Sequence, residues 1–279
     1  MILDWGAFNP APFAFDGPTS TRMMPLLLAL VVTCHLAIAS AQDAVPPSPP
    51  PLLITEATTT PAPNPRYQSK PGPFNACRAR VAEAAGKPCD LIFIGDSVTD
   101  RWLGPGKDVW ERRYAPRHAL NFGCFADQTQ NVLWRLDHMD IASLRPRVAV
   151  VLIGTNNSKD RPEAIAAGVK SIILRTQALF PGIATILVSI MPNQRAQEVM
   201  MATNAIIRGY ADGQTVFWLD LVPLMVPVTT ITENGKADSN WRGLGNDHLH
   251  PDASGYELWS DAMEPLLNRL LTADPVPGK

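Results

Sequence analysis

Cys89-Asp-Leu-Ile-Phe-Ile-Gly-Asp-Ser97 is the stretch that decides the fold. A short, continuous apolar run ended by glycine reads as a strand buried on both faces rather than as an alternating, half-exposed one. Outward from it, His118–Gly123, Arg147–Gly154, Ile183–Ile190 and Thr215–Asp220 supply four more strands of the same kind. Helical patterns fill the intervals at Thr129–Met139, Pro162–Phe180, Arg195–Tyr210 and Asp252–Leu271, the last with Asp252 as its candidate N-cap. Short strands alternating with helices imply βαβ crossovers, so the expected fold class is α/β, a single sandwich with a five-stranded parallel sheet between two helical layers. In such a sheet, chemistry gathers beyond the carboxyl ends of the strands.

The flanks read differently. Of the 27 prolines in 279 residues, ten fall between Gln42 and Asn75, a composition that favours extended backbone and buries little. Residues 42–73 are therefore expected to be a spacer, 74–271 the folded domain and 272–279 a tail. Before the spacer, Met23–Ala41 is an uncharged apolar run closing on Ala39-Ser40-Ala41, the pattern of a cleaved secretory signal over residues 1–41, with Met23 or Met24 as an alternative start. Export to the outside or the periplasm is the expectation, with no stable membrane insertion after cleavage; a retained N-terminal anchor is the alternative. Cleavage would leave Cys77, Cys89 and Cys124, of which Cys77 and Cys89 could close a short bridge in an oxidising compartment or could each be a small buried apolar residue. With 24 basic and 26 acidic residues the formal charge is −2, which gives no electrostatic footprint for nucleic acid.

Two strand ends and the segment before the last helix carry chemistry. Ser97 follows the first strand where a helix should begin, a place for a nucleophile and equally for a helix cap. Asn156 follows the third strand, able to donate its amide into the crevice or simply to form a turn. Asp247-His-Leu-His250 precedes the last helix, and its three-residue spacing lets the carboxylate meet one nitrogen of His250 while the other faces outward. Asp247, His248 and His250 could instead be metal ligands, though no further ligand cluster stands at the other strand ends.

Taken together, Gly95-Asp-Ser97, Asn121-Phe-Gly-Cys-Phe-Ala-Asp127, Gly154-Thr-Asn156 and Asp247-His-Leu-His250 resemble the SGNH (GDSL) hydrolase superfamily over Cys89–Leu271. Within it the chain resembles the branch of platelet-activating-factor acetylhydrolase catalytic subunits and bacterial carbohydrate acetylesterases. The resemblance implies a flavodoxin-like sheet and a secreted esterase acting on short acyl esters, such as O-acetyl groups on carbohydrate, without metal or cofactor. An acyltransferase, a longer-chain lipase or thioesterase, or a silent binding module are the alternatives. It assigns Ser97 as nucleophile, His250 as base and Asp247 as its orienter, with the oxyanion between Ser97 N–H, Ala126 N–H and the Asn156 amide. Ala126 departs from the family, which usually has glycine there. Its N–H is expected to serve if φ is ordinary, whereas a positive φ would strain the methyl-bearing backbone. Asp96 is expected to fix the nucleophile loop, Cys124 to be a small buried residue near the site, and Trp102 and Trp110 are candidates for lining it. The segments Asn193–Val199 and Leu221–Asn246 are expected to flank it.

Overall fold

The computed structural model describes residues 56–225, 227–231 and 237–272. The chain divides into two units, 1–50 and 51–279, and every described residue belongs to the second. The expected signal segment lies outside the described residues, as do the tail beyond Thr272 and the spacer before residue 56.

The described chain begins with a short turn at Glu56–Thr58, then α1 (Arg66–Ser69) and α2 (Gly72–Ala84), followed by β1 (Leu91–Gly95). After β1 come α3 (Ser97–Asp100), α4 (Lys107–Val109) and a run of tight turns to Arg117. The alternation then proceeds through β2 (Ala119–Gly123), α5 (Thr129–His138), β3 (Val148–Leu152), α6 (Pro162–Leu179), β4 (Ala184–Val188), α7 (Gln197–Ile207) and β5 (Val216–Leu219). A hairpin of β6 (Pro227–Ile231) and β7 (Ala237–Trp241) precedes α8 (Ala253–Thr272). The first five strands form one parallel sheet in the order β2-β1-β3-β4-β5, the flavodoxin-like arrangement. The strands begin a residue or two inside their apolar runs, and all but β2 also end a residue or two before them, because the run continues into the loop that the strand end buries.

Alternation along β1 builds both layers. Ile92 and Ile94 point to the face covered by α2, α5, α6 and α7, while Leu91 and Phe93 point to the face covered by α8 and the turns after Ser97. All four are fully buried, at roughly 1.5–3 kcal/mol for each such side chain. The chain reverses direction across the sheet between β1 and β3, so their carboxyl ends open a crevice.

The spacer expectation is corrected here, and the alternative left open for Cys77 and Cys89 is decided. The spacer expected over 42–73 does not run through its described part, because residues 56–73 are packed onto the domain. Thr58, Asn64 and Tyr67 are buried, and Tyr67 stacks on Phe74 of α2 with ring centroids 3.9 Å apart. The prolines there shape turns and start helices rather than extend the chain; Pro73 sits in the first turn of α2. Cys77 and Cys89 are not bridged: both are free and buried, as is Cys124. Cys77 Sγ instead lies 3.5 Å from Nη1 of Arg135. The Leu221–Asn246 segment, expected as a loop, contains the antiparallel β6–β7 hairpin.

Candidate active site

Gly95 ends β1 because nothing larger fits: a Cβ there would lie 2.3 Å from the Leu152 carbonyl and 2.1 Å from Thr99 Oγ1. The chain then turns directly into α3. Asp96 caps that helix, its Oδ1 accepting the Val98 N–H at 2.9 Å, and Ser97 opens it, leaving the Ser97 N–H among the unpaired donors of a first turn. The Tyr256 hydroxyl of α8 donates to the Val98 carbonyl at 2.6 Å and fixes this turn from the other layer.

His250 arrives from the far end of the chain. Its Nε2 lies 2.8 Å from Ser97 Oγ and its Nδ1 2.6 Å from Asp247 Oδ2. The other oxygen of Asp247 accepts the backbone N–H groups of His250 at 3.0 Å and Leu249 at 3.2 Å. His248 between them adopts a left-handed φ of 48°, and the Gly245 N–H to His250 carbonyl bond closes the loop at 2.8 Å. Asp252 accepts the Gly255 N–H at 2.9 Å, the expected cap of α8. Burial by itself would raise the Asp247 carboxyl, but the backbone and ring N–H groups of His250, with that of Leu249, hold it at about 2. His250 lies below its ordinary value: burial disfavours the imidazolium, Asp247 acts against that, and the positive charges of Arg101 and Arg195 lower it further. A neutral imidazole facing a serine hydroxyl, with a carboxylate fixing its tautomer, is set to accept a proton from that hydroxyl.

Asn156 follows Gly154, whose φ of 125° lets the chain turn sharply after β3. The Asn156 amide is used within the protein. Nδ2 donates to the Asp127 carbonyl at 2.9 Å and lies 3.4 Å from Asp96 Oδ2, while Oδ1 lies 3.4 Å from Nη1 of Arg195. Asp96 is completely buried, and that burial pushes its carboxyl up to about 7 against the pull of the Val98 N–H. Ala126 stands in the turn closed by the Asp127 N–H and the Cys124 carbonyl at 3.3 Å. Its φ is 64°, so of the two conditions stated for this position the strained, positive-φ one holds. The left-handed region costs an alanine about 1–2 kcal/mol.

The two tryptophans are corrected as well. Trp102 is fully buried and Trp110 nearly so, in an aromatic cluster with Phe93 and Tyr114; Trp102 also packs against Tyr256 and Trp259. They fill the layer between the sheet and α8, because rings so close behind β1 bury more area there than at the crevice. Cys124 is buried in the opposite layer, and burial pushes its thiol far up, out of the reactive range. Phe125, not a tryptophan, faces His250, with ring centroids 6.3 Å apart. Of the segments expected to flank the crevice, Asn193–Val199 reaches it through Arg195. Among the described residues no group of three or more His, Cys, Asp or Glu side chains could hold a metal ion.

Several residues that matter here carry no sequence signal of their own. Asn64, Tyr67 and Arg135 converge on Asp127, the residue after Ala126. Arg135 Nε donates to Asp127 Oδ2 at 2.7 Å, and the same guanidinium reaches the carbonyls of Gly95 at 3.0 Å and Phe122 at 2.8 Å. Both members of the pair are fully buried; burial raises the Asp127 carboxyl, and Arg135, Asn64 and Tyr67 oppose it.

A serine–histidine pair hydrogen-bonded at the carboxyl edge of a parallel α/β sheet is an arrangement suited to nucleophilic acyl transfer. Residues 93–258, more than half of the chain, match the GDSL-like Lipase/Acylhydrolase family. The chain belongs to that family and is a carboxylic ester hydrolase. It is 30% identical over 207 residues to "Platelet-activating factor acetylhydrolase IB subunit alpha1" of Rattus norvegicus, covering 71% of this chain and 83% of that protein. Two solved structures share the fold: a putative platelet activating factor from Streptococcus pneumonia (TM-score 0.55, 19% identity, 72% of this chain and 95% of that one) and a putative acylhydrolase from Bacteroides fragilis (TM-score 0.54, 18% identity, 68% and 95%).

Proposed function

We propose that the chain is an exported serine esterase that removes acetyl groups from small alcohols, carbohydrate among them, through Ser97, His250 and Asp247. The observation that carries this reading is the continuous line of hydrogen bonds from Ser97 Oγ through both nitrogens of His250 to Asp247. Ser97 Oγ attacks the ester carbonyl as His250 Nε2 takes its proton, and Asp247 stabilises the imidazolium that forms. The oxyanion is met by the N–H groups of Ser97 and Ala126 and by Asn156, whose amide turns from its longer contact, the 3.4 Å one to Asp96, to do so. His250 then returns the proton to the leaving alcohol, and water, activated by the same imidazole, releases acetate from the acyl-enzyme.

Acetyl is favoured over longer chains because Phe125 and the Ala126 methyl crowd the oxyanion turn, and each methylene left unburied forfeits about 0.8 kcal/mol. The rat relative's name, an acetylhydrolase, points the same way. Export rests on the apolar run ending at Ala41; among the described residues no helix is long and apolar enough to cross a membrane. The test is a series of p-nitrophenyl esters from acetyl to octanoyl, run beside acetylated xylan. Highest kcat/KM on acetyl with acetate released from xylan is expected; faster cleavage of octanoyl esters would replace this reading with a lipase.

A further inference from the structure

Asn64 turns the nitrogen of its amide to the turn that carries Ala126 and the oxygen back to its own strap. Nδ2 donates to the Ala126 carbonyl at 3.0 Å and to Asp127 Oδ1 at 3.1 Å, while Oδ1 accepts the Arg66 N–H at 3.0 Å, which fixes which way round the amide sits. Asn64 is 5% exposed; its bond to Asp127 is fully buried and those to Ala126 and Arg66 are partly so, which reduces competition from water. The same strap is laid along the start of α5: the Ala62 N–H donates to the Gln130 carbonyl at 3.1 Å, and Asn131 Nδ2 donates to the Ala62 carbonyl at 2.9 Å. Tyr67 directs its hydroxyl to the Asp127 carboxylate, at 2.8 and 2.9 Å, rather than to the Ala126 backbone.

We propose that Asn64 is a positioning residue for the oxyanion hole: by gripping the Ala126 carbonyl it holds that residue in the left-handed conformation in which its N–H, on the preceding peptide unit, is aimed at the reacting carbonyl. An alanine in that region tends toward an ordinary φ. Such a relaxation would swing the Ala126 carbonyl as well as its N–H, and the carbonyl is the atom Asn64 grips. Tyr67, bonded only to the Asp127 side chain, anchors the strap without setting that peptide.

This inference rests on the esterase reading above, and a double-mutant cycle on p-nitrophenyl acetate separates the two. Asn64→Ala is expected to lower kcat by about 10- to 100-fold, part of the 10²- to 10³-fold that a single oxyanion donor supplies, with KM changed less than about twofold. In the Ala126→Gly background, where a left-handed φ carries no methyl penalty, the same substitution should cost at least about fivefold less. Tyr67→Phe, the stability control, should lower Tm while kcat falls less than about threefold. Should Asn64→Ala not fold, Asn64→Ser, too short to reach both acceptors, goes through the same cycle. Equal losses in the two backgrounds, or a kcat that follows Tm across Asn64 and Tyr67 variants alike, would reduce Asn64 to a structural anchor and overturn the proposal. Undiminished hydrolysis by Ser97→Ala would instead overturn the esterase reading.

Discussion

His250 is aimed by a carboxylate three residues before it, whereas the Ala126 peptide is aimed by an amide sixty-two residues before it. The first device is closed within one loop: Asp247 receives the His250 backbone N–H and its ring together, so base and orienter move as a unit. The second depends on a strap of chain outside the β–α alternation, laid against the turn between β2 and α5. A locally closed device survives slippage of the rest of the molecule. A device closed across the fold fails with the contact that closes it, and here it must also hold an alanine at a φ of 64°.

The comparison breaks most completely at Ser97, which both devices serve. Ser97→Ala should lower kcat by about 10⁴-fold or more with Tm nearly unchanged; equal loss of activity and melting temperature would make Ser97 a helix cap only. On the local side, Asp247→Asn should cost about 10³- to 10⁴-fold, through the wrong imidazole tautomer, and a kcat within tenfold of the parent would remove Asp247 from the device. On the long-range side, Asn156→Ala should cost about 10²- to 10³-fold, measured on the same ester series.

The pH profile sharpens the comparison with a smaller effect. His250 must be neutral to accept the Ser97 proton, and its pKa is lowered by burial and then by Arg101 and Arg195. Activity should therefore be lost as pH falls through a value below the ordinary histidine figure of about 6.5. Arg195→Gln removes one of those positive charges and should move that limb upward; a limb that stays in place or moves down would contradict the cause assigned to it. Smallest of all, Ala126→Gly relieves about 1–2 kcal/mol of backbone cost and returns part of it as unfolded-chain entropy. A net gain below about 1 kcal/mol, a rise of a few degrees in Tm, is expected from thermal unfolding.

What was legible in the sequence follows the same division. Short apolar runs located all five strands, three of them ended by glycine; β1 and β3, buried along their whole length, leave no room for alternation. The i to i+3 spacing of Asp247 and His250 was readable because one loop closes it. Asn64 and Tyr67 were hidden in a proline-rich stretch whose composition resembles a spacer; their partners lie more than sixty residues away, and no local period reports that. Tyr67, Phe74 and Val81, apolar residues amid the prolines and into α2, were the only hint that this stretch covers a core. Trp102 and Trp110 were misplaced for a related reason: a ring in the turns that follow a strand can face crevice or core, and only α8, with Tyr256 and Trp259, decides. The positive φ at Ala126 was legible only as a condition, since alanine carries no mark of the left-handed region.

The central claim is that Ser97 is the one hydroxyl both devices activate. Incubation with a fluorophosphonate ester, followed by peptide mass spectrometry, tests it most directly. The account expects a single stoichiometric adduct on Ser97, formed at a rate that falls with protonation of His250 and lost in Asp247→Asn. Labelling of another serine, or hydrolysis of p-nitrophenyl acetate that persists when Ser97 is fully modified, would contradict it.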